Sequence, residues 1–179
     1  MMETKLQKRI HPRLKEYDYS TPGSYFITIC TDKRKCILSS IFYTEKTDNI
    51  SVGRGLAPAE NVVVDLSNYG KVAEKYLLDL QDRFNNISID SYAIMPNHIH
   101  FILSIFDTAG ASPRPTVTDI VCAYKSLTTK KCKDFGFKGK LFQNSFYDHI
   151  IRNQQDYDEC SIYIQNNPLK WSLDELFIE

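Results

Sequence analysis

Several features that would assign this chain to a familiar class are missing from it. The 179 residues contain five cysteines, an odd number, and no two of them form a C-x-x-C pair. That spacing argues against a disulfide framework and against a zinc knuckle or ribbon. No apolar run reaches the roughly 18 residues of a membrane-spanning helix, and the basic N-terminal stretch lacks the apolar core of a secretory signal. We therefore expect a cytoplasmic protein without a membrane segment.

Two catalytic signatures are absent as well. The run Gly53-Arg54-Gly55 is not followed by G-K-[ST], so it is not a phosphate-binding loop. The H-x-E and P-C-x-x-C elements of the zinc deaminases do not occur in the chain, which excludes that class of enzyme.

An excess of charge of either sign is also missing, because 22 basic residues balance 22 acidic ones. The basic residues are nevertheless clustered, at 5–15 and at 124–140. Each cluster could contact a phosphate backbone or form a solvated face, and charge alone favours neither. The candidate DNA contacts in these clusters are Arg9, Arg13, Lys125, Lys130 and Lys131.

What the chain does contain is an alternation of strand and helix patterns. Runs rich in β-branched and aromatic residues predict three strands, at 24–31, 87–95 and 98–106. Apolar residues at helical spacing predict three helices, at 66–84, 116–134 and 153–167. Ser67 or Asn68 is expected to cap the first helix, and Thr116 or Thr118 the second.

The remaining segments complete the predicted order. Residues 35–43 read as a second strand or a bend, 44–60 as a loop or hairpin insertion, and 140–152 as a short extended stretch. The order β, helix, β-β, helix, β, helix predicts one α+β domain over 1–179, with helices on one face of an antiparallel sheet. A ferredoxin-like or RNA-recognition-like arrangement is the leading expectation, with a basic arm at 1–20.

Two pairs of side chains carry the candidate chemistry. His98 and His100 lie two residues apart on a predicted strand and so share a face, where two imidazoles can bind one divalent ion. Tyr163 and Asn167 are four residues apart on the last predicted helix and share a face there. Asn167 is the candidate third ligand, and the Tyr163 phenol could attack a phosphodiester that the ion polarises. An aromatic residue in the core is the alternative interpretation of Tyr163.

Several blocks in order resemble the single-tyrosine HUH transposases, most closely the REP-associated tyrosine transposases and their insertion-sequence relatives. The blocks are YDYSTPGSYFITICT (17–31), YAIMPNHIHFIL (92–103), AYKSLTTKK (123–131), LFQNSFYDHIIRN (141–153) and YIQNNP (163–168). The resemblance implies the HUH fold, with His98 and His100 as the metal-binding pair and Tyr163 as the nucleophile. Asn167 stands where the insertion-sequence enzymes often carry glutamine, and it is one methylene shorter.

The resemblance also implies an activity and its requirements. Members of the family cleave single-stranded DNA near a hairpin, use Mg²⁺ or Mn²⁺, and form a 5′-phosphotyrosine with a free 3′-hydroxyl. Arg152 is a further candidate DNA contact. The insertion-sequence relatives resemble dimers and the REP-associated branch monomers, so a homodimer is one of two open states.

Two alternatives stay open beside this reading. Tyr147 and Tyr157 are rival nucleophiles, although neither has an amide four residues later. A module that binds single-stranded nucleic acid without cutting it needs only stacking aromatic residues and basic flanks. The histidine pair and Tyr163 favour the enzyme, because binding alone requires none of them.

Overall fold

The chain folds around a four-stranded antiparallel sheet, and the computed structural model describes residues 17–44, 61–107 and 115–178. The strands are β1 (Gly23–Cys30), β2 (Ser39–Thr44), β3 (Asn61–Leu66), β4 (Ile87–Ile94), β5 (His98–Ile105) and β6 (Tyr147–Ile151). The helices are α1 (Asn68–Leu78), α2 (Leu80–Arg83), α3 (Val117–Asp134) and α4 (Gln154–Asn166). Single 3-10 turns span Asp32–Arg34 and Trp171–Leu173.

The order of the strands confirms the predicted fold class. The main sheet runs β4-β5-β1-β6 with every neighbouring pair antiparallel, and β2 and β3 form a separate two-stranded sheet. Without that hairpin, the order of elements is the β-α-β-β-α-β of ferredoxin-like folds. Strands β1 and β5 therefore lie at the centre of the sheet, and a side chain on either of them is buried most easily.

The two faces of the sheet pack against different helices. Successive side chains of a strand point to opposite faces, so Ile99, Phe101 and Leu103 of β5 face the core that α1 and α3 cover. Ile102, on the other face, packs with Ile164 of α4. The expectation that all helices lie on one face was therefore wrong. All eight residues of β5 are buried, and a strand apolar on both sides needs a covering layer on both.

Helix ends follow local capping chemistry. The Ser67 hydroxyl accepts a hydrogen bond from the Gly70 amide at 3.1 Å and begins α1. Thr116 and Asp119 form a reciprocal capping box that begins α3. Both caps were among those predicted from the sequence. The helix predicted over 66–84 is two helices, α1 and α2.

Strand β3 was not predicted. Its three valines pair with β2 in register, from Ser39 opposite Leu66 to Thr44 opposite Asn61. The predicted bend or strand at 35–43 thus ends in β2. Within the described ranges, no helix has both the length and the apolar character that crossing a bilayer requires.

Some predicted features lie outside the described residues. These are most of the basic arm, with Arg9 and Arg13, together with 45–60 and 108–114.

Candidate functional site

Both histidines lie on the face of β5 that α4 covers, and a hydrogen bond at Nδ1 holds each ring. His98 Nδ1 lies 2.8 Å from the Asn97 side-chain oxygen, and His100 Nδ1 lies 2.8 Å from the hydroxyl of Thr28, its cross-strand partner in β1. The Nε2 atoms of both rings are buried and have no hydrogen-bond partner among the described residues. The ring centroids are 4.4 Å apart, so the fold places the two imidazole rings side by side.

Burial keeps both imidazoles neutral. Loss of solvent lowers the pKa of His98 from 6.5 to about 4, and the nearby Asp174 carboxylate and Asn167 only partly oppose this. Burial also lowers the pKa of His100 well below 6.5, and the adjacent His98 acts in the same direction. The neutral ring is the form that binds a metal ion, so both side chains are in the ligand state at neutral pH.

Asn167 reaches this face because the helical backbone continues one residue past α4, with φ −59° and ψ −42°. Its amide nitrogen donates to Asp174 Oδ2 at 2.6 Å. Its Oδ1 atom is buried and has no hydrogen-bond partner in the described part of the chain. Asn167 therefore presents an unused oxygen on the helix face that carries Tyr163.

Asp174 is the residue that the sequence analysis missed. One of its carboxylate oxygens lies with one ring nitrogen each of His98 and His100 in a group whose atoms are all within 4.8 Å of one another. Asp174 follows the short turn at Trp171–Leu173, and no periodic pattern in that segment marks it. The backbone amide of Leu176 donates to its other oxygen at 2.6 Å and fixes the carboxylate.

These side chains fit a divalent cation. Three buried polar atoms, on His98, His100 and Asn167, have no hydrogen-bond partner among the residues that the structure describes, and leaving such atoms unpaired costs about 1–3 kcal/mol each. The Asp174 carboxylate supplies the negative charge that neutral imidazoles lack. A mixed set of nitrogen and oxygen donors is what the sequence analysis expected for the pair of histidines, with Asp174 added.

Tyr163 lies directly beside the histidine pair. Its ring centroid is 5.3 Å from that of His100 and 5.9 Å from that of Phe26, in edge-to-face contacts. Its hydroxyl donates to Asp174 Oδ2 at 3.4 Å, and 47% of the residue is exposed. Burial and then the Asp174 charge raise its pKa to about 12, so the phenol keeps its proton at neutral pH. Tyr163 is not an ordinary core aromatic residue, because nearly half of it is exposed and its hydroxyl contacts the candidate ligand Asp174.

The rival tyrosines have different surroundings. Tyr147 lies opposite Thr28 on the edge strand β6 and is half exposed. Tyr157 packs against the apolar residues between the sheet and α4, which include Ile102 and Ile164, and burial, followed by Asp90, raises its pKa.

A cleft of about 620 Å³ opens beside the histidine pair, between β1, β6 and α4. Tyr147, Tyr163 and His100 all line it. A second group of potential ligands in its wall is formed by His149, Asp156 and Cys160, whose ligand atoms also lie within 4.8 Å of one another. The hydrogen bond between His149 and Asp156 lowers the pKa of the Asp156 carboxyl. Burial and the Asp156 charge raise the pKa of the Cys160 thiol to about 11.

The predicted DNA contacts fall into distinct environments. The Lys125 ammonium donates to the carbonyl oxygens of Gln143 and Asn144, at 2.5 and 3.0 Å, so it supports a loop. Lys130 is exposed along an open groove of about 690 Å³. Lys131 lies 3.4 Å from Asp134. The side chain of Arg152 is exposed, while its backbone amide donates to Asp156 at 3.0 Å.

Comparison with known proteins identifies a relative and a shared fold. No protein-family model matches the chain. An uncharacterised protein of Haemophilus influenzae is 30% identical over 198 aligned residues, which cover 99% of this chain and 100% of that protein. A REP-associated tyrosine transposase bound to a REP hairpin superposes with a TM-score of 0.57 at 19% identity, over 90% of this chain and 77% of that one. A candidate transposase from Deinococcus radiodurans gives a TM-score of 0.47 at 16% identity, over 86% and 95% of the two chains.

Proposed function

We propose that this chain, which belongs to the same family as the uncharacterised Haemophilus influenzae protein, is a metal-dependent single-stranded DNA endonuclease and strand transferase. The observation that carries the proposal is the contact between Tyr163 and His100, at 5.3 Å between ring centroids. This contact places a half-exposed phenol beside two buried imidazole nitrogens that have no hydrogen-bond partner among the described residues. The shared fold with a REP-associated tyrosine transposase supports the same reading.

In the proposed reaction, Tyr163 is the nucleophile. Its phenol oxygen forms a bond to phosphorus while the bond from phosphorus to the 3′ oxygen breaks. The phenol gives up its proton as attack begins, and the leaving 3′ oxygen takes up an equivalent proton, so the products are a 5′-phosphotyrosine and a free 3′-hydroxyl. Strand transfer is the reverse attack, in which a different 3′-hydroxyl displaces the phenol and returns the proton to it.

Asp174 supports this chemistry in two ways. It accepts the Tyr163 hydroxyl hydrogen at 3.4 Å, which suits a group that takes the phenol proton when attack begins. Its second hydrogen bond, from Asn167 at 2.6 Å, keeps the carboxylate oriented toward the histidine face. A phenol with a pKa of about 12 attacks poorly without such help.

His98, His100, Asn167 and Asp174 would hold the ion, which we propose to be Mg²⁺ or Mn²⁺. When bound, the ion withdraws charge from the scissile phosphate. The two imidazoles favour Mn²⁺ of the two, because Mg²⁺ prefers oxygen ligands throughout. Thr28 and Asn97 keep the two rings oriented, because each forms a hydrogen bond with the Nδ1 atom of one histidine.

The proposed substrate is single-stranded DNA next to a hairpin. The REP-associated transposase of the same fold is itself bound to a REP hairpin, and we extend that partner to this chain. Exposed Lys130 and Arg152 are proposed to contact the DNA backbone, with Arg9 and Arg13 of the basic arm. Lys125 and Lys131, which already have protein partners, are proposed to contribute less.

The test is a trapping experiment with labelled, hairpin-bearing oligonucleotides and Mn²⁺. Wild-type protein is expected to form an adduct that survives a denaturing gel, and excess EDTA should prevent it. The double variant His98→Ala/His100→Ala should retain its circular dichroism spectrum and most of its DNA affinity while forming no adduct. An adduct at the wild-type rate in that variant would refute the metal assignment. DNA binding by the wild type without any adduct would favour the non-catalytic binding module.

A further inference from the structure

A second set of metal-ligating side chains lies in the wall of the cleft, outside the site that the proposed reaction uses. His149 is on β6, and Asp156 and Cys160 are one turn apart on α4. His149 Nε2 lies 2.8 and 3.0 Å from the two Asp156 oxygens, and the Cys160 thiol donates to Asp156 Oδ1 at 3.8 Å. Imidazole, carboxylate and thiol converge on one point here, and each is an established ligand of zinc.

The spacing of these atoms is close to that of a tetrahedral zinc site. With usual zinc–ligand lengths, tetrahedral geometry places a sulfur and an oxygen ligand about 3.5 Å apart and a nitrogen and an oxygen ligand about 3.3 Å apart. The observed separations are 3.8 Å for Cys160 and Asp156, and 2.8 Å for His149 and Asp156. The third separation, between the ligand atoms of His149 and Cys160, is at most 4.8 Å, against about 3.5 Å in a tetrahedral site. Side-chain rotations that move these atoms by up to about an ångström would seat the ion.

The set is separate from the histidine pair. Cys160 precedes Asn167 by seven residues, and a helix rises about 1.5 Å per residue, so the two ligand groups lie about 10 Å apart along α4. A sulfur ligand also distinguishes them, because soft and borderline ions prefer thiolate whereas Mg²⁺ and Mn²⁺ prefer oxygen. Three protein ligands facing a cleft leave one coordination position open, as in zinc sites that also bind a water or a substrate group.

We propose that His149, Asp156 and Cys160 form a second, zinc-class metal site that fastens the start of α4 to the edge strand β6. The bound ion links the helix that carries Tyr163 to the main sheet, and its open position faces the cleft. The site is independent of the nuclease reaction, since none of its ligands contributes to the histidine pair.

Cobalt spectroscopy tests the proposal on the full chain. One equivalent of Co²⁺ bound at this site should give the near-ultraviolet charge-transfer absorption of a cobalt–thiolate bond, which the ligands of the histidine pair cannot produce. Cys160→Ser should abolish the band. Cys30→Ser and Cys122→Ser, which change another cleft cysteine and an exposed one, should retain it. His98→Ala/His100→Ala should also retain it, so this result does not depend on the proposed nuclease activity.

A second measurement covers the other two ligands and the physiological ion. His149→Gln and Asp156→Asn should each weaken Zn²⁺ binding by roughly tenfold or more in calorimetry, since loss of even an outer-shell partner costs that much. Absence of the thiolate band at saturating Co²⁺ would contradict the proposal, and His149 and Asp156 would then be an ion pair beside a thiol that binds no metal. A band that persists in Cys160→Ser but disappears in Cys30→Ser would assign the sulfur ligand to the wrong residue and overturn the proposal.

Discussion

Acid should destabilise the metal-free protein through His98. The folded state lowers the pKa of this imidazole from 6.5 to about 4, chiefly because the side chain is fully buried. As the pH falls, the unfolded chain therefore binds the proton first, and folding stability is lost across the window between these two values. Above pH 6.5 the ring is neutral in both states, and the contribution to stability is fully present.

The magnitude follows from the two pKa values. The pKa of His98 is 6.5 in the unfolded chain and about 4 in the folded one. Protonation of His98 therefore lowers the free energy of unfolding by about 2 kcal/mol as the pH falls from 7 to 5. The full shift corresponds to about 3 kcal/mol well below pH 4. His100, whose pKa is also lowered by burial, adds a loss of the same sign.

Urea denaturation in EDTA at several pH values measures this effect. His98→Gln removes this titrating group and should make the loss of stability between pH 7 and pH 5 smaller by about 2 kcal/mol, leaving the part due to His100. Saturating Mn²⁺ should raise the stability but leave this slope unchanged between pH 7 and pH 5, because the folded ring binds no proton in that range with or without the ion. If His98→Gln lost stability with falling pH as steeply as the wild type, the buried, neutral imidazole would not be the cause.

Further variants test the fold and the DNA surface. Thr116→Ala removes the capping box of α3 and should cost about 1 kcal/mol in urea denaturation. Tyr124→Phe removes a buried 3.0 Å hydrogen bond to the Ala73 carbonyl and should cost about 1–3 kcal/mol. Lys125→Met should lower stability more than DNA affinity, and Lys130→Met the reverse, in parallel denaturation and anisotropy titrations. DNA affinity should fall with salt at a log–log slope near −0.7 per phosphate contacted, and a flat response would exclude a phosphate-binding surface.

The centre of the sheet could be predicted because its pattern is local. Strand β5 is a run of apolar residues that contains two histidines two residues apart. Its hairpin partner β4 is also rich in β-branched and aromatic residues. The helices α1 and α3 begin at side chains whose capping chemistry acts over three residues. Such signals need no knowledge of the rest of the chain.

The layer on the second face was harder to predict. The order of the predicted elements suggested helices on one face of the sheet only, so a covering layer on the histidine face was not expected. In the structure, Ile102, Phe26 and Met95 continue the apolar surface around the histidines, and Ile164 and Trp171 cover it. Whether a half-polar strand face is covered depends on contacts between distant segments, which periodicity does not record.

Asp174 illustrates the same limit within the candidate site. It lies 74 residues from His100 in the sequence, and it reaches the site only because the chain turns back after Pro168. The pair Tyr163 and Asn167 could be found because a helix fixes the spacing of its own side chains. An isolated carboxylate after a short turn has no such spacing, and only the folded chain brings it to the histidines.

The most direct measurement of the central claim is the identity of the residue that carries the trapped nucleotide. Peptide mass spectrometry of the adduct formed with Mn²⁺ and a hairpin oligonucleotide should find it on Tyr163. Tyr163→Phe, which keeps the ring and its contacts with His100 and Phe26, should fold and bind DNA yet form no adduct. Tyr147→Phe and Tyr157→Phe should remain active. An adduct on Tyr147 or Tyr157, with Tyr163→Phe fully active, would contradict the account.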